Sequence, residues 1–203
     1  MKLNNWIRIT DETVVFNGEK LPHETTGNAL LTELYRNHIG DYPKFFKMDA
    51  LCKLGFVASE LLLGKEENRF APREDRAIVF FNRSGSLNAD THFQATIQDK
   101  ENYFPSPAVF VYTLPNIVTG EIAIRNKYYG ETSFIVMEQN DPQVMARQLQ
   151  NAFLDADTKS ILGGWINCDN DNRFDACLFI INENQFANAD ELTENIMQII
   201  NNQ

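Results

Sequence analysis

Apolar and polar positions alternate in blocks that predict strands and helices in turn. Trp6 to Thr10 and Val14 to Phe16 are short β-favouring runs split by Asp11-Glu12, with Asn17-Gly18 as a turn after them. Residues 25 to 38 put Leu30, Leu31, Leu34 and Tyr35 on one helical face before Pro43 breaks the chain. Asp49 reads as an N-cap and Gly64 as a stop for a helix whose wide apolar face carries Leu51, Leu54, Phe56, Val57, Leu61 and Leu62. After the polar loop Arg69 to Asp75, the run AIVFF (Ala77 to Phe81) suits a strand covered on both faces. A weaker helix is expected over Asn88 to Gln98.

Next comes a long apolar segment, Pro107 to Lys127, read as a helix that Pro115 kinks or divides. Gly120 inside it costs roughly 1 kcal/mol against alanine, which suggests close packing there. Thr132 to Met137 reads as a further buried strand. Pro142 then sits where a first helical residue would, after Asn140 or Asp141 as cap, and the helix is expected to reach Ala156. Ser160 to Cys168 and Asp175 to Ile181 are two strands joined by a polar turn, and Asp190 to Ile200 closes with a helix striped by Leu192, Ile196, Ile199 and Ile200. The order strand, helix, strand, helix, strand, helix, strand, strand predicts one α/β layer domain over residues 1–203.

Composition narrows the function. With 18 basic against 28 acidic residues the net charge is −10, so nucleic acid and anionic membrane surfaces are improbable partners. No apolar run reaches the roughly 18 residues that span a bilayer. MKLNNWIRITDE lacks a signal-type apolar core, and the three cysteines, Cys52, Cys168 and Cys177, match no disulfide framework or CxxC spacing, so a reducing cytoplasm is expected. Cys52 reads as core, while Cys168 and Cys177 are expected near each other across a hairpin. Asp169, Asp171 and Asp175 suggest a calcium loop, but the spacing fails at Arg173 and a polar turn is the better reading. Phe45-Phe46, Phe80-Phe81 and Phe104 read as core, with an acyl tunnel as the alternative. Nothing calls for a metal or cofactor.

Four segments carry a family resemblance, over residues 45 to 183. KMDALCKLGFVASELL (Lys47 to Leu62), AIVFFNRSGSL (Ala77 to Leu87), TLPNIVTGEIAIRNKYYGETSFIV (Thr113 to Val136) and SILGGWINC (Ser160 to Cys168) resemble the N-terminal half of β-ketoacyl-acyl-carrier-protein synthases. The third is the most specific, carrying the family's L-P-N-x-x-x-G-x-I-A pattern. The resemblance implies one thiolase-like half, an α/β five-stranded mixed sheet with helices packed on it.

In that family the nucleophilic cysteine lies nine residues after the glycine of a G-P-S-like turn; nine residues after Gly130 stands Gln139. The two family histidines belong to a second half with no counterpart here, and His23, His38 and His92 match no family motif. A carboxamide donates and accepts hydrogen bonds but cannot accept an acyl group as a thiolate does. The resemblance therefore implies a non-condensing accessory subunit in fatty-acid or polyene-type polyketide synthesis. It would form a homodimer, or a heterodimer with a full-length ketosynthase, through Thr132 to Met137, and could meet an acyl carrier protein. Asn116, Gly120, Gln139 and Asn140 are the acyl- or partner-binding candidates, and Lys44, Lys47, Arg125 and Lys127 are candidates for a basic carrier-protein patch. The bland reading of Gln139 is a cap for the following helix. Two alternatives stay open: an active acyltransferase with an unrecognised nucleophile, and a non-catalytic binding domain.

Overall fold

The computed structural model describes residues 2–170 and 173–201. One mixed sheet organises them. Its seven strands run β3-β2-β1-β7-β6-β4-β5, with β1 Trp6–Thr10, β2 Val14–Phe16, β3 Glu19–Lys20, β4 Arg76–Asn82, β5 Thr132–Val136, β6 Ser160–Cys168 and β7 Phe174–Asn182. The expected count of five is corrected to seven because the N-terminal hairpin joins the main sheet. β1 lies antiparallel to β7 with Ile7 opposite Leu178, and β2 and β3 extend that edge. Asn17 and Gly18 take positive φ at the turn between β2 and β3, as an Asn-Gly hairpin requires. β4 is parallel to both β5 and β6, while β6 and β7 form an antiparallel hairpin.

Helices cover both faces. On one, α1 (Gly27–His38), α2 (Ala50–Leu63) and α5 (Ile117–Asn126) close a core around Leu34, Leu54, Phe56, Ile78, Phe80 and Leu162. On the other, α6 (Pro142–Ala152) and α7 (Ala189–Asn201) close a second core around Val79, Phe81, Leu149, Phe179 and Ile196. The alternation of Ile78 and Phe80 with Val79 and Phe81 shows why the AIVFF run has no polar face: every residue of β4 is buried.

Asp49 caps α2 as expected, its Oδ1 accepting from Cys52 N at 2.9 Å. Gly55 in α2 is where the face is tightest. A Cβ there would stand 2.5 Å from Val118 Cγ2 of α5 and 3.8 Å from Phe80 Cε2. Gly120 was the expected close contact, yet a Cβ on it would meet nothing within 4 Å. The tight approach between α2 and α5 passes through the other helix's glycine. In β6, Gly164 has φ 138°, and a Cβ there would fall 2.0 Å from Cys177 O across the hairpin.

The Pro107–Lys127 segment is divided. A short helix, α4 (Pro107–Phe110), runs into a 3₁₀ turn at Val111–Thr113, and α5 leaves at 98° after Pro115. The weaker helix forms as α3 (Leu87–Ala95), and α6 stops at Ala152, short of Ala156. Among the described residues no single helix is long and apolar enough to cross a membrane.

Candidate functional site

The turn between β5 and α6 holds the residue singled out by the resemblance. β5 ends at Val136 and α6 begins at Pro142. Asp141 is the N-cap, its Oδ1 accepting from Gln143 N at 2.9 Å and Val144 N at 3.2 Å. The capping duty proposed for Gln139 thus belongs to Asp141, and Gln139 stands exposed on the turn two residues earlier. Asn140 is half-buried, and its Oδ1 is shielded from solvent with no hydrogen-bond partner among the described residues. Both carboxamides precede the amino end of an eleven-residue helix, where the helix dipole and free N–H groups favour partial negative charge.

Asn116 and Gly120 lie elsewhere, at the first turn of α5. Asn116 is exposed; its side chain makes no cap bond, and its carbonyl accepts from Thr119 Oγ1 at 2.8 Å. No hydrogen bond among the described residues joins the α5 pair to the Gln139–Asn140 turn. The four candidates therefore form two pairs rather than one constellation.

The thiols are placed against reactivity. Cys52, Cys168 and Cys177 are all buried and unpaired with one another. Burial pushes Cys52 well above its ordinary range, and it pushes Cys168 and Cys177 up to about 12. A thiol so raised carries negligible thiolate at neutral pH. Cys168 and Cys177 are also not neighbours: Cys168 pairs with Phe174 and Cys177 with Trp165, and they belong to opposite cores. His23 precedes α1, His38 ends it and His92 lies on α3, so none flanks the Gln139 turn.

Strand β5, expected to be buried, is the outermost strand of the sheet. Thr132 and Val136 are exposed, Val136 at 55%, and Ser133, Phe134 and Ile135 are half-buried. Elsewhere on the surface, Phe104 (73%), Phe110 (52%) and Leu114 (52%) add exposed apolar area. Of the phenylalanines expected in the core, Phe45, Phe80 and Phe81 are fully buried but Phe46 and Phe104 are exposed.

The basic candidates separate into two classes. Lys44 pairs with Glu121, and Arg125 with Asp41 and Glu60, inside an ionic network that also takes in Arg69. Lys47 and Lys127 have no carboxylate partner among the described residues. At the β6–β7 turn, Asp169 accepts from Arg173 N at 2.9 Å and Asp175 pairs with Arg8, while Asp171 lies outside the described residues. Among the described residues no group of three or more His, Cys, Asp and Glu could hold a metal ion.

Sequence reasoning missed a mixed polar and apolar cleft of about 410 Å³ between α1, α2, α3 and α4. Asp49, Lys53, His92 and Tyr112 meet there, drawn from segments read separately as cap, helix face, weak helix and apolar rod. The polar residues on the exposed side of α3 were the available signal.

No family model matches the chain, and no curated protein matches it in sequence. Solved structures do. One, described as "The ishigamide ketosynthase/chain length factor", superposes with a TM-score of 0.68 at 14% identity, over 92% of this chain. A second, "Ketosynthase (ApeO) in Complex with its Chain Length Factor (ApeC) from Xenorhabdus doucetiae", gives 0.58 at 13% identity, over 90% of this chain and 79% of that one. This chain spans 63% of the first structure's length. The chain has the mixed α/β, helix-covered sheet of ketosynthase and chain length factor structures.

Proposed function

We propose that this protein is a non-condensing, ketosynthase-like accessory subunit that pairs with a complete ketosynthase in polyketide or fatty-acid synthesis. The observation that carries the reading is the exposed Gln139 on the β5–α6 turn of a ketosynthase-like fold, with every cysteine buried and strongly raised in pKa. Condensation needs a thiolate to take the acyl group and donors to hold the oxyanion. Gln139 supplies a polar, non-nucleophilic group in its place, able to hydrogen-bond a carbonyl across an interface.

The open edge of β5 supports pairing. An edge strand presents unpaired N–H and C=O groups that a second strand can satisfy. The resemblance puts the family's subunit-joining segment at Thr132 to Met137, which contains β5. One compared structure is a ketosynthase in complex with its chain length factor. A carrier-protein contact would fall to Lys47 and Lys127, since Lys44 and Arg125 are occupied by carboxylates. The buried, unpaired thiols suit a reducing cytoplasm.

Co-expression with a complete ketosynthase, followed by native mass spectrometry, tests the proposal. A one-to-one complex without acyl transfer to this chain is the expected result. A covalent acyl adduct on Cys52, Cys168 or Cys177 after incubation with an acyl-carrier thioester would overturn it in favour of an enzyme.

A further inference from the structure

The cleft between α1, α2, α3 and α4 lies on the face of the sheet opposite α6, beyond the carboxyl ends of the parallel strands β4 and β6. The β4–α3 turn is tied to β6, because Arg83 N, Ser84 N and Ser84 Oγ all donate to Asn167 Oδ1 at 2.9–3.1 Å. Asn88 at the start of α3 donates to Asp169 O at 3.0 Å. One wall is thus fastened to the sheet, and α2, whose capped amino end forms another, packs directly on it. Open α/β sheets bind ligands outside the carboxyl ends of their strands.

Its lining specifies the ligand's charge. Lys47 and Lys53 both line the cleft, and neither has a salt-bridge partner among the described residues; Lys53 Nζ lies 5.7 Å from the Phe45 ring centroid. Asp49 is the one carboxylate in the lining, and its Oδ1 is committed to Cys52 N as the helix cap. The hydroxyl of Tyr112, a residue 9% exposed, has no hydrogen-bond partner among the described residues. His92 holds its Nδ1 2.7 Å from Asn88 O, so that nitrogen carries the proton. Two ammonium groups and a free phenolic donor against one engaged carboxylate make a locally cationic site in a chain of net charge −10. The rest of the lining mixes the polar Asn28, Thr32 and Asn88 with an apolar stretch that includes Met48, Ala89 and Val109.

We propose that this cleft binds a small organic carboxylate, with its anionic head on Lys47, Lys53 and the Tyr112 hydroxyl and its apolar body on Met48, Ala89 and Val109. A bare inorganic anion would leave the apolar floor unused, and an amine would face two ammonium groups. The site is separate from the Gln139 turn, and its test uses the chain alone, so it stands or falls independently of pairing.

The experiment titrates the full chain with sodium hexanoate, followed by amide and His92 ring proton shifts in nuclear magnetic resonance. Acetate and hexylamine serve as head-only and charge-reversed probes. Hexanoate should shift the resonances of Ala89, His92 and Tyr112 and bind at least about ten-fold more tightly than either control, acetate lacking the methylenes that the apolar stretch would bury and hexylamine lacking an anionic head. Lys53→Met, which keeps an unbranched stem near Phe45, should weaken hexanoate by about ten-fold. Lys47→Met, on an exposed position, gives the same readout if the first variant loses its fold, and Tyr112→Phe should weaken binding several-fold. Hexylamine binding as well as hexanoate, hexanoate affinity unmoved in folded Lys→Met variants, or no shift at saturating hexanoate would each overturn the assignment.

Discussion

Strands β4 and β5 are parallel neighbours with similar apolar sequences, RAIVFFN and TSFIV, and they meet opposite fates. β4 is buried along its whole length between α5 and α2 on one face and α6 on the other. β5 has β4 on one side only, and its first and last residues, Thr132 and Val136, are exposed. An apolar run reports that a strand packs against something; it does not report whether that partner belongs to the same chain. The central strand is hydrogen-bonded on both sides, and the outer one keeps one edge without a strand partner among the described residues.

The largest difference between them should appear in stability. Phe80→Ala, in β4, should cost about 3–5 kcal/mol in urea unfolding, whereas Val136→Ala at the rim of β5 should stay within about 0.5 kcal/mol. Equal costs would show β5 to be as enclosed as β4. Next in size is the cover over β4. Gly55→Ala forces a Cβ to within 2.5 Å of Val118 Cγ2, and an overpacked core contact of this kind costs about 1–3 kcal/mol. Gly120→Ala, with open space around it, should instead stabilise α5 by up to about 1 kcal/mol through helix propensity alone.

Asp49, which caps α2, gives an effect with a pH signature. Burial holds its carboxyl up at about 6, from an ordinary 3.8. The folded state therefore binds this proton more tightly than the unfolded one. The contribution is fully present below pH 3.8 and is lost as pH rises through about 6. Asp49→Asn keeps the cap and should flatten this part of the stability curve, while Asp49→Ala should cost a further ~1 kcal/mol from the lost cap. The smallest effect on the isolated chain belongs to Thr132→Lys with Val136→Lys. Stability should move within about 0.5 kcal/mol, while co-purification with a ketosynthase should be lost. Persistent pairing in that double variant would place the interface elsewhere.

Much of this architecture was legible because its signals are local. Period and capping located α2 with its Asp49 cap, Asn17-Gly18 marked a hairpin, and Pro115 separated α4 from α5. What depends on distant pairing was not legible. Nothing in Trp6–Thr10 says that it will lie against β7 and raise the sheet to seven strands. Glycine content likewise pointed to Gly120, though the helix contact runs through Gly55, because which face of a helix meets its neighbour is set by tertiary packing. The Gln139 turn could be located by counting along the chain. The cationic cleft could not, since Lys53, His92 and Tyr112 converge only after three helices have packed.

The strand order has a practical consequence. Leu3 N donates to Asn195 Oδ1 at 3.0 Å and the Arg8 guanidinium donates to the Ile200 carbonyl, so the first and last described segments are stitched together along β1. β1 and β5 lie in opposite halves of the sheet, with β7, β6 and β4 between them. The described segments nearest the two ends, at Leu3 and Ile200, therefore sit on the β1 side of the sheet, separated from β5 by three strands, and a reporter placed on either reads the opposite side from a β5 contact.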